Sequence, residues 1–237
     1  MTIRTVSETG STNTDLAEKL RGGERVAEGD WLVADRQTAG KGRRGREWFD
    51  GRGNFMGSTV VRATPQDPPP ATLALVAGLA AYETVLPHLA DPSTLRLKWP
   101  NDLMVGPAKL AGILLEGERD AVVVGIGVNL AAAPSLPDRA PIALSELGPK
   151  PDRDSFAADL AANFDREVER WRTYGLEPLV RRWEAAAHPQ GTPLTVQEPG
   201  ERTLRGNFAG LAPDGSLRLR LADGQLRAIH AGDVMLG

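Results

Sequence analysis

A short glycine- and arginine-rich segment, Gly40-Lys41-Gly42-Arg43-Arg44-Gly45-Arg46, is the part of this chain best suited to chemistry. Five cationic side chains and no carboxylate lie between Arg36 and Arg46, although the chain of 237 residues carries a formal net charge of −3. Glycine lets a backbone approach a ligand closely or adopt a positive φ, and arginine offers a planar pair of donors to phosphate or carboxylate. The segment is therefore predicted to bind a polyanion.

Three interpretations of this segment compete. Its glycines match the dinucleotide-binding fingerprint, and the apolar run Trp31–Ala34 before them predicts a strand. That fingerprint requires a helix to begin at the third glycine, whereas the composition of 46–53 does not favour a helix start. A P-loop would need lysine and serine or threonine where Arg46 and Glu47 stand. The third interpretation is a solvated basic loop that contacts nucleic acid or nothing.

Three further segments carry polar groups at strand ends: Lys98–Asp102, Lys109–Glu116 and Gly125–Leu130. In the first, a proline ends a strand and sets an Asn-Asp pair at its tip, which is also ordinary turn chemistry. In the second, Lys109 leads the strand face of Ala111, Ile113 and Leu115, which predicts an ammonium at the mouth of an apolar slot, or a lysine merely extended along a strand end. In the third, glycines alternate inside a strand, which indicates close approach of a ligand or another backbone.

Composition excludes several classes of protein. The chain has no cysteine, so disulfides, thiolate catalysis and cysteine-based zinc sites are excluded. Its three histidines, His88, His188 and His230, are too widely separated to show a ligand spacing. The N-terminus lacks the apolar segment of a signal peptide, and the longest apolar stretch, Ala71–Tyr82, is shorter than a membrane span. We therefore expect a soluble cytoplasmic protein without a membrane partner.

The chain is predicted to divide near residue 190. Residues 1–190 mix strands with helices, including an apolar helix over 71–86 that must lie against a sheet. Two strands, over 110–116 and 121–128, are expected to pair around the turn between them. Residues 191–237 contain short strands separated by glycine-containing turns, which is typical of a small β-barrel. We expect one larger domain over 1–190 and a small β domain over 191–237.

Taken in order, five segments resemble those of biotin protein ligases: Ser11-Thr12-Asn13, Gln37 with Gly40–Trp48, Lys98–Leu103, Lys109–Glu116 and Gly125–Leu130. The resemblance covers residues 1–190, and the β-rich tail resembles the C-terminal domain of that family. It implies an α+β fold: a mixed β-sheet with helices packed on it, as in class II synthetases, which holds the biotin and ATP site, and then a small SH3-like β-barrel. Lys41 stands where the family usually has arginine, which keeps the charge but loses the bidentate fork.

The resemblance also implies a reaction in two steps. Biotin's carboxylate attacks the α-phosphate of ATP, giving biotinyl-5′-AMP and pyrophosphate, and a lysine of a biotin carboxyl carrier protein then attacks the mixed anhydride. Both reactants of the first step are anionic, so positioning and positive charge are the main requirements. Catalytic roles are expected for Lys109, Arg43 and Asp102. Mg²⁺ is expected with ATP, and Asp102 would either help to hold it or orient the attacking lysine.

The remaining site residues follow from the same matching segments. Contacts with biotin are expected from Ser11, Thr12, Asn13, Gln37, Lys41, Gly42, Arg43, Lys109 and Gly112. Contacts with ATP are expected from Arg43, Arg46, Trp48, Asn101, Lys109 and Asn129, with the tryptophan as an adenine platform. Short hydroxyl and amide groups suit a ureido ring, and Ala111, Gly112 and Gly127 are expected to leave space for the bicycle and the valeryl chain.

Two other functions stay open at this point. Lipoate ligases resemble the same family and perform the same adenylation, whereas its octanoyl transferases rely on a cysteine that this chain lacks. A nucleic-acid-binding regulator would use the basic loop, but the sequence pI is about 5.7 and aromatic residues make up 5% of the chain. Repressor members of the family carry an N-terminal helix-turn-helix domain, and only ten residues precede Ser11. We therefore expect the monofunctional form, without DNA as a partner.

Overall fold

A computed structural model describes residues 1–135, 141–200 and 202–237. Within these residues the larger sheet has seven strands: β1 Ile3–Val6, β2 Trp31–Ala34, β3 Phe55–Arg62, β4 Leu95–Lys98, β5 Asp102–Val105, β6 Ala108–Glu118 and β7 Ala121–Val128. They lie in the order β1-β2-β3-β7-β6-β5-β4; β1 and β2 are parallel and the other neighbours are antiparallel. The sheet is therefore mixed, as an α+β fold requires, and β6 and β7 pair as the sequence predicts.

In the part of the chain that the structure describes, four α-helices lie around this sheet: α1 Thr12–Arg21, α2 Leu73–Val85, α3 Arg153–Tyr174 and α4 Leu176–Ala186. The central strands alternate, so that Val124 and Ile126 of β7 join the main apolar core with α2 and α3. On the opposite face, α1 packs Leu16 and Leu20 against Val123 and other apolar residues of the sheet. Since α1 covers only one end of that face, the rest of it is free to form a site.

The apolar helix predicted over 71–86 is present as α2, and short 3₁₀ turns extend the helical run beyond the predicted ends. With the short 3₁₀ turns at its two ends, the helical run Pro70–His88 has 19 residues and a mean hydropathy of 1.3, so length and composition alone would let it cross a membrane. The prediction that the apolar stretch is too short for a span was therefore wrong. The run is 61% buried, and α2 packs against α3, α4 and the sheet, which is the environment of a core helix.

A bulge in β6 places Lys109 on the opposite face of the strand from the one that the sequence predicted. The pairing of β5 with β6 shifts register, so that Leu103 faces Ala111 while Met104 faces Lys109. Leu110 and Ala111 consequently both enter the main core, and Lys109 shares its face with Gly112 instead of Ala111. Ala111 is fully buried on the face covered by helices. Our expectation that it leaves space for a ligand was therefore wrong.

The second sheet is small and entirely antiparallel. Its strands are β8 Pro193–Gln197, β9 Thr203–Leu211, β10 Leu217–Arg220, β11 Leu226–Ile229 and β12 Asp233–Leu236, in the order β11-β10-β9-β8-β12. This arrangement is consistent with an SH3-like barrel. Trp99, just after β4, donates its indole N–H to the carbonyl oxygen of Gly215 at 3.1 Å, and Val234 joins the main apolar core. The small sheet is thus held against the β4 edge of the large one.

Candidate active site

The free part of the sheet face forms a cavity of about 680 Å³. Its floor is built from β3, β6 and β7, where Met56, Ser58, Gly112, Gly125 and Gly127 face the same side. The fourteen site residues expected from the sequence all line this cavity: Ser11, Thr12, Asn13, Gln37, Lys41, Gly42, Arg43, Arg46, Trp48, Asn101, Asp102, Lys109, Gly112 and Asn129. The fold therefore brings together residues that lie more than a hundred positions apart.

One end of the cavity is lined by small neutral polar groups. Ser11 precedes α1 and caps it by accepting the backbone N–H of Thr14 at 3.5 Å, so it has a structural role besides lining the cavity. Thr12 donates its backbone N–H to Gln37 Oε1 at 2.8 Å. Thr12 Oγ1 also lies 2.7 Å from Ser58 Oγ, and Ser58 donates its hydroxyl to Asn13 Oδ1 at 2.6 Å. These side chains are all buried, so their geometry is set by the protein before any ligand binds.

The other end is cationic, and its charges already hold one carboxylate. The basic loop folds back on itself, since Trp48 donates its backbone N–H to Gly40 and Gly42 donates to Arg46. Three of its arginines converge on Asp233 of β12: Arg46 Nη2 is 2.5 Å from the carboxylate, Arg44 Nη1 3.1 Å and Arg43 Nη1 3.9 Å. Burial raises the pKa of Asp233, but the arginines, Arg46 foremost, outweigh it and hold that pKa below its usual value.

The loop is irregular from 46 to 53, as the sequence indicated, and has one short 3₁₀ turn at Arg43–Gly45. Arg44 adopts φ 58° and Gly45 φ 73°, so the chain turns sharply where the arginines fan out. Arg43 also donates to Asn101 Oδ1 at 3.1 Å and to the carbonyl oxygen of Gly232 at 3.2 Å. Lys41 reaches away from this cluster and donates to Thr14 Oγ1 at 3.2 Å.

Lys109, Asp102 and Lys98 form a partly buried ion triplet between the two ends. Lys109 Nζ is 2.5 Å from Asp102 Oδ1, and Lys98 Nζ is 2.8 Å from Asp102 Oδ2. Burial raises the pKa of Asp102, but Lys109 and then Lys98 outweigh it and lower that pKa to about 2. Burial also lowers the pKa of Lys109, and the neighbouring carboxylate offsets part of this effect. Asp102 therefore stays ionised and holds the Lys109 ammonium in the cavity.

The strand glycines make room for protein side chains. A Cβ at Gly127 would lie 2.3 Å from the Trp48 ring, and a Cβ at Gly112 would lie 2.9 Å from it. A Cβ at Gly125 would lie 2.2 Å from Asn13 Oδ1. The predicted close approach is real, but in this structure the groups that approach are Trp48 and Asn13. The Trp48 ring also lies under the Lys109 ammonium, with 5.6 Å between Nζ and the ring centroid.

Two polar atoms of the site are buried without a hydrogen-bond partner among the described residues. They are Trp48 Nε1, a donor, and Asn129 Oδ1, an acceptor. The amide of Asn129 is held in place by donating to the carbonyl oxygen of Ile142 at 3.2 Å. The amide of Asn101 is engaged at both ends, since its nitrogen donates to Ile113 O at 2.7 Å and its oxygen accepts from Arg43. Because an unpaired buried polar atom costs free energy, Trp48 Nε1 and Asn129 Oδ1 indicate contacts with a ligand.

Sequence reasoning missed several residues that line the cavity. Ser58 and Met56 lie on the cavity side of β3, and period-two alternation was the one signal that pointed to them. Lys98 was placed on the strand before the Asn-Asp turn, and its pairing with Asp102 was not expected. Asp233 was not expected in the site, yet its carboxylate accepts from Arg44 and Arg46 of the basic loop. No local pattern connects Asp233 to residues almost 190 positions earlier in the chain.

Comparison with known proteins identifies the class. The biotin/lipoate A/B protein ligase family model matches residues 7–130, and the model of the biotin protein ligase C-terminal domain matches residues 191–237. A biotin–[acetyl-CoA-carboxylase] ligase from Paracoccus denitrificans is 37% identical to this chain, covering 98% of it and 99% of that protein. A ligase of the same name from Mycobacterium tuberculosis is 35% identical, covering 97% and 87%. The chain therefore belongs to the biotin/lipoate A/B protein ligase family.

Solved structures agree with this assignment. A biotin protein ligase from Aquifex aeolicus in complex with biotin and ATP matches with a TM-score of 0.86 at 26% identity, covering 100% of this chain and 98% of that one. The family resemblance and the fold class expected from the sequence are confirmed. The match to the C-terminal domain begins at residue 191, in the segment between α4 and β8.

Proposed function

We propose that this chain is an ATP-dependent biotin ligase that forms biotinyl-5′-AMP and transfers biotin to a lysine of a biotin carboxyl carrier protein. The observation that carries the proposal is one cavity with two chemically different ends. The buried hydroxyl and amide groups of Thr12, Ser58 and Gln37 suit a neutral ring that both donates and accepts. Arg43, Arg46 and Lys109 suit the carboxylate and phosphates.

In the first step, a carboxylate oxygen of biotin attacks the α-phosphorus of ATP. The new P–O bond forms as the bond to pyrophosphate breaks, so no enzyme nucleophile is needed. Negative charge crowds between the two reactants, and Lys109 and Arg43 would lie on either side of it. The basic loop already coordinates the carboxylate of Asp233, which supports its use as an anion site.

Asp102 is better suited to position Lys109 than to hold magnesium. Both of its carboxylate oxygens are paired with ammonium groups. Among the described residues, no group of three His, Asp or Glu side chains is placed to bind a metal ion. We infer that Mg²⁺ arrives as part of the nucleotide substrate, bound to ATP phosphates. Asp102 acts by keeping the Lys109 ammonium charged and aimed into the cavity.

The nucleotide and the adenylate would lie between the loop and the sheet. Trp48 Nε1 offers a donor and Asn129 Oδ1 an acceptor, both without a partner among the described residues, and both residues line the cavity. Trp48 is half-buried and can move with the loop, so we retain it as the group that contacts adenine. A loop that closes on the adenylate would also exclude water, which otherwise hydrolyses the mixed anhydride.

In the second step, the amine of the acceptor lysine attacks the carbonyl carbon of biotinyl-5′-AMP. The C–O bond to AMP breaks, an amide forms, and the amine loses a proton. The acceptor lysine would reach the adenylate through the mouth of the cavity. A cytoplasmic location and the absence of DNA binding stay predictions from the sequence.

The test of the proposal is a comparison of two substrates. Purified protein is incubated with ATP and either biotin or lipoate, without acceptor, and pyrophosphate release is measured. The proposal predicts pyrophosphate and a biotinyl-adenylate product with biotin, and none with lipoate. Release of pyrophosphate with lipoate and not with biotin would refute the proposal and show a lipoate ligase activity instead.

A further inference from the structure

Glu116, on β6, contacts the neutral end of the cavity without lining it. Gly112, Leu114 and Glu116 alternate onto the cavity side of the strand, and Glu116 reaches over the start of α1. Asn13 donates its amide nitrogen to Glu116 Oε2 at 2.8 Å. The reaction steps above leave this contact unused. Glu116 thus lies two positions beyond Leu114, which lines the cavity, and influences the cavity through its contact with Asn13.

The carboxylate fixes which way the Asn13 amide faces. A carboxylate oxygen only accepts, so it must meet the NH₂ end of the amide. The Asn13 oxygen is then turned over Gly125, where it accepts the Ser58 hydroxyl at 2.6 Å. With a neutral amide in place of Glu116, both orientations of Asn13 would be satisfied equally well.

The orientation of Asn13 in turn sets the direction of the neighbouring hydroxyls. Ser58 has one proton and gives it to Asn13. The Thr12 hydroxyl proton then points to Ser58 Oγ at 2.7 Å, with Gln37 Oε1 at 3.1 Å as a second acceptor. Both hydroxyl protons are thereby used within the protein. What Thr12 and Ser58 still offer to the cavity is oxygen lone pairs, which are acceptors for ligand N–H groups.

Gln37 provides the opposite polarity next to them. Its Oε1 accepts the Thr12 backbone N–H at 2.8 Å, so its Nε2 faces the Gly40 side. That nitrogen is a donor, as a ligand carbonyl requires. The neutral end therefore offers acceptors and a donor side by side, which matches a cyclic urea and does not match a dithiolane ring.

We infer that Glu116 is a positioning residue that selects a ureido ligand, because it sets the donor and acceptor directions along Asn13, Ser58 and Thr12. This inference rests on the proposed biotin ligase function. Glu116, a residue outside the cavity, thereby determines which atoms inside the cavity donate. Loss of the carboxylate would leave the shape of the cavity intact, but the positions of its hydrogen-bond donors and acceptors would no longer be fixed.

The test uses Glu116→Gln, which is isosteric, and a compensating double variant. Glu116→Gln alone is expected to raise the KM for biotin about tenfold, the cost of a mismatched buried hydrogen bond, with the KM for ATP and kcat for pyrophosphate release within about twofold of the unmodified protein. Adding Asn13→Asp places a carboxylate next to the new amide. It again accepts the Ser58 hydroxyl, so the double variant is expected to recover most of the lost affinity.

Glu118→Gln is the matched control, since Glu118 lies two residues along the same strand and pairs at 3.0 Å with Arg21 on the surface. Thermal melting checks that each variant is folded. A biotin KM in Glu116→Gln equal to that of Glu118→Gln would overturn the inference, and so would a double variant weaker than the single one. Failure of the unmodified protein to use biotin would instead refute the proposed function, so the two failures are distinguishable.

Discussion

Replacement of Lys109 by alanine removes the cation that the site places between the reacting carboxylate and the α-phosphate. The fold is expected to survive, because Lys98 remains 2.8 Å from Asp102 and keeps that partly buried carboxylate paired. The change should therefore act on the chemistry rather than on stability. The pairing also means that no uncompensated charge is left in the cavity.

The size of the effect follows from distance and exposure. Two unit charges about 4 Å apart interact by about 4 kcal/mol at an effective dielectric constant of about 20. The Lys109 side chain is 26% exposed, so water weakens this interaction. Loss of one preorganised donor costs about 2.7–4 kcal/mol in other enzymes. We expect the low end of that range, a fall in the rate of adenylation of about 100-fold.

The assay is single-turnover release of pyrophosphate from ATP and biotin, without acceptor protein. Lys109→Arg, which keeps the charge, should retain more activity than the alanine variant. Lys150→Ala, at an exposed position, is the control and should match the unmodified protein. Binding of preformed biotinyl-adenylate should weaken as well. Pyrophosphate release by Lys109→Ala at nearly the normal rate would refute the electrostatic role.

Other changes test the surrounding contacts. Asp102→Asn removes the carboxylate that raises the pKa of Lys109 against the effect of burial, so this pKa should fall further. The pH above which the adenylation rate is lost should then be lower than in the unmodified protein, and an unchanged pH profile would contradict this. Because the pKa of Asp102 is lowered to about 2, its ion pairs should stabilise the fold above about pH 4 and be lost as pH falls towards 2, which acid titration of the melting temperature can follow. Gly127→Ala places a Cβ 2.3 Å from the tryptophan ring and should raise the KM for substrates, whereas Gly117→Ala, with nothing within 4 Å, should not; equal kinetics would show that the ring moves away freely. Asp233→Asn should speed hydrogen exchange in the basic loop without ligand, and unchanged exchange would show that this carboxylate does not hold it.

Local patterns predicted the strands and helices that carry the site. The apolar run Trp31–Ala34 predicted β2, and the segments 110–116 and 121–128 predicted the paired strands β6 and β7. Ordered motifs also predicted fourteen of the residues that meet at the cavity. These features succeed because they depend on short spacings, which a single sequence displays directly.

Two features were beyond the reach of those patterns, for physical reasons. The bulge at Leu110 moves Lys109 to the other face of β6, and its cause is the pairing with β5, which a strand's own sequence does not specify. The contact of Asp233 with the basic loop depends on how the small sheet docks on the large one. Docking is decided by packing over long distances, as with Trp99 and Gly215.

The measurement that tests the central claim most directly is transfer of labelled biotin to an acceptor. The protein is incubated with ATP, labelled biotin and a biotin carboxyl carrier domain, beside a carrier whose acceptor lysine is replaced by arginine. The account predicts label on the intact carrier only, with release of pyrophosphate and AMP. An unlabelled carrier with no pyrophosphate released, or label that appears with lipoate in place of biotin, would contradict it.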